Sequence, residues 1–204
     1  MMSESNIYEL VFETDNPCNT TIVDSDTGKV VYQVATEHGK ETVTRVKNAA
    51  GETIASWVWK DVRSDIITLG NLKPVPVSAW LKKSLVPFKD TVTLQDGAGR
   101  NFKWKGNAPG LSFELYAEDD KEEPVVRFHK SRTVWDRAVR PPTSTVQPAR
   151  LVVNSRWVEI QDIAVVSFLV LEKSRRAREN STLNRADSLA LAPAGLLNLG
   201  GVQY

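Results

Sequence analysis

Apolar and polar residues alternate in short runs over the first two-thirds of the chain, and turn residues punctuate the runs. Such alternation, broken by Asn-Pro, Asp-Gly and Gly-rich turns, predicts half-buried β-strands. Strands are expected over residues 7–14, 20–24, 29–36, 41–47, 53–60 and 64–69, then over 91–95, 101–105, 112–117, 124–130 and 150–154. In 29–36, Tyr32 and Val34 share a face with Val30, opposite Val31, Gln33 and Ala35. In 53–60, Ala55, Trp57 and Trp59 lie together. Pro74 and Pro76 suit an extended edge segment, because proline cannot donate to a strand ladder. Residues 77–81 fit either a strand or one helical turn. Residues 131–149, with Pro141, Pro142 and Pro148 among Ser, Thr and Arg, are expected to form an irregular surface loop.

One segment breaks the pattern. Around residues 160–179 the run from Ile163 to Leu171 is apolar at every angle of a helical wheel. A helix apolar all round belongs inside a core. Asp162 at its start and Lys173, Arg175, Arg176 and Arg178 at its end complement the helix dipole. The run is too short for a bilayer, which needs roughly 20 apolar residues. Residues 180–204 are expected to be a partly disordered tail, because Pro193, Gly195, Gly200 and Gly201 break any long helix there. The fold expected is therefore mainly β: an about 12-stranded closed antiparallel β-barrel, residues 1–179, around one central C-terminal helix. A helix so enclosed cannot meet a ligand, which directs the search for function to the outer strands and the 131–149 loop.

Composition narrows the class further. With 204 residues the chain can bury a sizeable core without disulfides or metals. The net charge of +1 supplies no whole-molecule field towards nucleic acid, so nucleic acid is not an expected partner. The single cysteine, Cys18, can form neither an internal disulfide nor a Cys-rich zinc site. The first residues lack a basic and an apolar signal region, so a cytoplasmic protein is expected, peripheral at membranes where it meets them. The sequons at Asn19 and Asn180 are then irrelevant by compartment.

No catalytic signature emerges. His38 sits in a Glu-His-Gly-Lys turn and His129 near a strand end, neither in a metal-binding or nucleophile spacing. Asp24 and Asp26 before Gly28 lack the downstream ligands of a calcium loop and read as a hairpin turn. The acidic run 118–123 reads as a solvated loop tip, and loose calcium binding is the sharper alternative. Gly97 and Gly99 make a turn, not a phosphate-binding loop. No cofactor, metal site or catalytic residue is expected.

Ordered motifs give a resemblance. They are Tyr8-Glu9-Leu10-Val11-Phe12 with Asn16-Pro17 and Asn19-Thr20, Asp26-Thr27-Gly28-Lys29-Val30-Val31-Tyr32, and Ile54-Ala55-Ser56-Trp57. Val77-Ser78-Ala79-Trp80-Leu81, Asp96-Gly97 with Phe102-Lys103-Trp104-Lys105, and Glu159-Ile160 through Leu171-Glu172-Lys173 complete the set. Over about residues 7–179 the chain resembles a large basidiomycete fungal family whose domain is of unknown function. Its architecture resembles the tubby-like fold of tubby proteins, phospholipid scramblases and LURP-one-related proteins. The resemblance implies a fold and little chemistry. In tubby proteins a strand-borne basic pair helps to hold a phosphoinositide headgroup, and Lys103-Trp104-Lys105 looks similar. The expected function is a non-catalytic binding or scaffold domain for anionic phospholipid headgroups. Its candidate contacts are Lys82, Lys83, Lys103, Lys105, Arg132, Arg137 and Arg140. The alternatives are a protein-interaction module using the arginine-rich loop 131–150, and an enzyme with an unrecognised pocket.

The central placement of the late helix carries a direct test. Val166→Asp puts an unpaired charge in the core at a cost of several kcal/mol, so the variant should show no cooperative thermal melt by circular dichroism.

Overall fold

The computed structural model describes residues 8–86, 90–108, 110–136, 138–140 and 142–190, with side chains described as far as residue 182. Strands β1 (Tyr8–Phe12), β2 (Thr20–Asp24), β3 (Val30–His38), β4 (Thr42–Asn48), β5 (Thr53–Val58), β6 (Ile66–Leu69) and β7 (Val75–Pro76) form one antiparallel meander. A four-residue helix, α1 (Val77–Trp80), leads to a second meander of β8 (Lys82–Lys83), β9 (Val92–Gln95), β10 (Asn101–Lys105), β11 (Glu114–Ala117) and β12 (Val126–His129). After a hairpin, β13 (Arg132–Asp136) and β14 (Thr143–Gln147), strand β15 (Arg150–Val153) lies between β1 and β12 and stitches the meanders together. A 3₁₀ turn (Ser155–Glu159) then feeds the long helix α2 (Gln161–Ala190).

The stitching is visible in one row of side chains. Leu151 of β15 pairs with Leu10 on one side and Phe128 on the other. Paired residues share a face, and all three are buried. The same inward face carries Phe12, Ile22, Tyr32, Val34, Trp57 and Trp104, so the alternation in the sequence is the alternation of inside and outside.

This wall surrounds the first turns of α2. From Ala164 to Leu171 no residue is more than 3% exposed. The Phe168 ring lies 4.5 Å from Phe128, 5.7 Å from Phe12, 6.0 Å from Phe113 and 6.1 Å from Trp104, centre to centre. Buried Ser167 accepts a hydrogen bond from Trp104 Nε1 (2.9 Å) and donates to the Ala164 carbonyl (3.1 Å), which leaves its hydroxyl satisfied. At the helix start, Tyr32 donates to Asp162 (2.7 Å). Further along, the buried Arg175 pairs with buried Glu172 at 2.5 Å, donates to the Leu111 carbonyl (2.6 Å) and stacks over Phe113. The loop carrying Leu111 is pinched at Gly106, where φ is +78° and a Cβ would stand 1.9 Å from the Ser112 carbonyl oxygen. Glycine alone tolerates that approach.

Three expectations need correction. The 13-stranded sheet is not closed, because its end strands β7 and β8 are not hydrogen-bonded to each other. Each is two residues long, Pro74 and Pro76 remove donors from the β7 edge, and α1 occupies the junction. The region expected to be an irregular loop holds the β13–β14 hairpin, with Trp135 opposite Ser144 and Thr133 opposite Val146. Helix α2 continues to Ala190, beyond the expected end at residue 179; residues 191–204 lie outside the described residues. Residues 77–81 resolve mainly into the helical turn α1.

Phe168 touches four rings from different parts of the wall. Phe168→Ala should therefore lower the unfolding free energy by about 3–5 kcal/mol in urea denaturation, as expected for an aromatic removed from a packed core.

Candidate functional site

The outer face of β8–β11 follows from the register. Lys82 stands opposite Thr93, Thr93 opposite Lys103, and Lys103 opposite Tyr116. The next row runs from Lys105 through Glu114 to Arg127. Each strand turns its apolar partners inward: Val92 and Leu94 on β9, Phe102 and Trp104 on β10. Lys82, Lys103 and Lys105 are thereby placed on one outer surface.

A shallow depression of about 320 Å³ lies on this surface, lined by Thr93, Lys103, Lys105, Tyr116, Glu118 and Lys121. The Lys105 ammonium sits 3.6 Å above the Tyr116 ring, a close cation–π contact. Tyr116 donates to Glu114 (2.7 Å), and Arg127 Nε donates to the other Glu114 oxygen (2.8 Å). Burial, and then that donation to Glu114, push the Tyr116 hydroxyl up to about 12. Burial alone would raise the Glu114 carboxyl, but the Tyr116 and Arg127 hydrogen bonds more than offset it and hold the group below its ordinary value. Glu114 is thus committed to Tyr116 and Arg127. Glu118 accepts from Asn101 (2.7 Å). Among the described residues, Lys82, Lys103, Lys105 and Lys121 form no ion pair. The arrangement presents several ammonium groups without an ion pair to solvent, which suits an anion, while the Tyr116 ring lies buried beneath Lys105.

The other expected contacts lie elsewhere. Lys83 is opposite the buried Val92, so it turns to the inner side at the open seam. Desolvation there, and the Arg178 guanidinium, lower its ammonium from the ordinary lysine value. Arg132 donates to Gln147 within the hairpin (2.8 Å), and Arg140 is exposed just beyond β13. Arg137 lies outside the described residues. Lys121 and Tyr116 were missed, because their approach to β10 depends on strand pairing and a loop path that periodicity does not encode.

The remaining chemistry-bearing groups are structurally occupied. Asp24 Oδ1 accepts from the Asp26 and Thr27 amides (3.0 and 2.7 Å), which is the turn expected of that segment. Asp119 pairs with Arg156 (2.7 Å), and Asp120 accepts the amides of Glu122 and Glu123 (3.1 Å each). Among the described residues no three His, Cys, Asp or Glu side chains converge as metal ligands. Burial raises the Cys18 thiol to about 11, which suppresses the thiolate needed for nucleophilic attack. His38 meets Thr42 (3.2 Å), and burial followed by Arg150 and Arg127 lowers His129. No described helix is long and apolar enough to cross a membrane.

Residues 15–177 match a family described as a family of unknown function (DUF6593), and the chain belongs to that family. No curated protein and no solved structure matches the chain.

The Glu114 anchor yields a pH-dependent outcome. A depressed carboxyl contributes stability above its unfolded-state value and loses it as pH falls through the folded one. Glu114→Gln should cost about 1 kcal/mol at neutral pH, a modest figure because Arg127 is half exposed. Urea unfolding in acid should show that difference shrinking as the wild-type carboxyl protonates.

Proposed function

We propose that this domain is a non-catalytic binding module that takes anionic phospholipid headgroups, phosphoinositides above all, on the outer face of β8–β11. The observation that carries the reading is the shared row of Lys82 and Lys103, with Lys105 in the next row and Lys121 across the same depression. A polyanionic headgroup would exchange water at these ammoniums for several charge-assisted hydrogen bonds. Each lysine near an anionic bilayer is worth about 1 kcal/mol. The tubby-like resemblance of strands around a C-terminal helix supports the reading by analogy, since tubby proteins use strand-borne basic residues for this purpose. The protein would then work at the cytoplasmic surface of a membrane, as a peripheral scaffold.

A second reading has its own observation. On one face of the β13–β14 hairpin Trp135 is 60% exposed and Val146 68%, with Arg132 on the same strand as Trp135. Exposed aromatic and arginine side chains are common anchors of protein interfaces.

Vesicle sedimentation separates the two. The full chain should pellet with phosphatidylcholine vesicles that contain phosphatidylinositol 4,5-bisphosphate and stay in the supernatant without it. Lys103→Glu plus Lys105→Glu should weaken that binding by about 30-fold or more, given about 1 kcal/mol per charge, while Trp135→Ala leaves it unchanged. Undiminished binding by the double lysine variant would sink the lysine face; loss through Trp135→Ala would move the site to the hairpin.

A further inference from the structure

The open seam has a consequence for α2. Where β7 and β8 fail to pair, a groove of about 590 Å³ reaches the helix. That volume is within the range of small-molecule sites. Its accessible apolar lining comes from Val77, Leu85 and Ala177, over the buried Leu81, Val170 and Leu171. Four cationic side chains line it as well: Arg63, Lys83, Lys173 and Arg178.

Their charges are unequally answered. Lys173 pairs with Asp65, the one carboxylate of the groove lining, and lies 4.0 Å over the Trp59 ring. Arg178 donates to the Asn107 carbonyl and side-chain oxygens (3.0 and 2.9 Å), which are neutral acceptors. Among the described residues Lys83 and Arg63 have no acidic partner. An apolar trough with surplus positive charge is complementary to an amphiphile with a single negative head.

A peptide strand suits the seam poorly. Strand addition needs free main-chain donors along an edge. On the β7 side Pro74 and Pro76 have none, and each edge strand is only two residues long. An alkyl chain needs no such donors.

We propose that the seam groove binds one long-chain fatty acid, its alkyl chain lying against α2 and its carboxylate between Lys83 and Arg63. This site is separate from the lysine face: Lys83 and its neighbour Lys82 point to opposite sides of β8. The partial desolvation of Lys83 agrees with the placement, since a carboxylate there would relieve its crowding by Arg178.

Equilibrium dialysis of the full chain against radiolabelled hexadecanoic acid, below its micelle concentration, tests the assignment. Saturable binding of one molecule per chain is expected. Ala177→Trp, at an exposed helix position in the groove, should reduce affinity about tenfold or more by filling the trough. Lys83→Glu plus Arg63→Glu should do the same by repelling the carboxylate, and 1-hexadecanol should bind about tenfold more weakly than the acid. Lys103→Glu plus Lys105→Glu should leave hexadecanoate binding unchanged, so this site and the headgroup face can fail independently. Circular dichroism melts establish that each variant is folded. Absence of saturable binding, equal affinity in the folded groove variants, or equal affinity for acid and alcohol would overturn the proposal.

Discussion

The constraint on which the structure depends is that the stretch of α2 from Ala164 to Leu171 has no polar side to show to water. Packing against one sheet would leave half of it wet, at a cost of roughly 1.5–3 kcal/mol for each large side chain exposed. A sheet curved round the stretch removes that cost. The wall is a 13-stranded sheet built from two meanders, and β15 holds them together. Two of the polar groups inside the wall are answered, while the buried Trp57 Nε1 has no hydrogen-bond partner. Ser167 has Trp104 and its own helix backbone, and Arg175 has Glu172, the Leu111 carbonyl and an aromatic face. Such a buried ion pair is weak evidence for extra stability, but breaking it by removing one partner would strand a charge in the core.

The strands that line the wall were legible because each has one buried face, and burial imprints a period of two on the sequence. Tyr32 with Val34 and Phe102 with Trp104 are the clearest cases. The hairpin β13–β14 was not legible, because it has no buried face. Its residues are almost all exposed, so no periodic signal separates it from a loop. The two-residue strands β7 and β8 fall below the length at which alternation can be read. Closure was misread for a related reason. Alternation says which side of a strand faces inward, and it does not say whether the two edges of a sheet meet. The prolines at 74 and 76 did mark an edge, and that edge is where the barrel stays open.

The candidate site shows the same division. That Lys103 and Lys105 point outward follows from Phe102 and Trp104 pointing inward. That Lys82 joins them follows only from register, through Thr93, which the sequence does not display. Lys82 and Lys83 do not share a surface, since neighbours on a strand face opposite ways. Of the arginines expected to reinforce the patch, Arg132 belongs to a separate hairpin, where it is held by Gln147, and Arg140 to the turn of that hairpin. A charge cluster in sequence is therefore a poor guide to a charge cluster in space wherever the backbone is extended.

The open seam links the two sites. Hydrogen-bonding β7 to β8 would complete the barrel, yet it would also cover the groove that runs past the buried Val170 and Leu171 to the exposed Ala177. An open edge in a sheet invites pairing with other strands. Here the edge is guarded by proline on one side and lysine on the other, and both strands are short, which are recognised ways of discouraging such pairing. The gap is therefore built to stay open without recruiting another strand. Helix α2 is the floor of that gap: its stretch from Ala164 to Leu171 serves the core, and the following turn, at Ala177, is open to the groove.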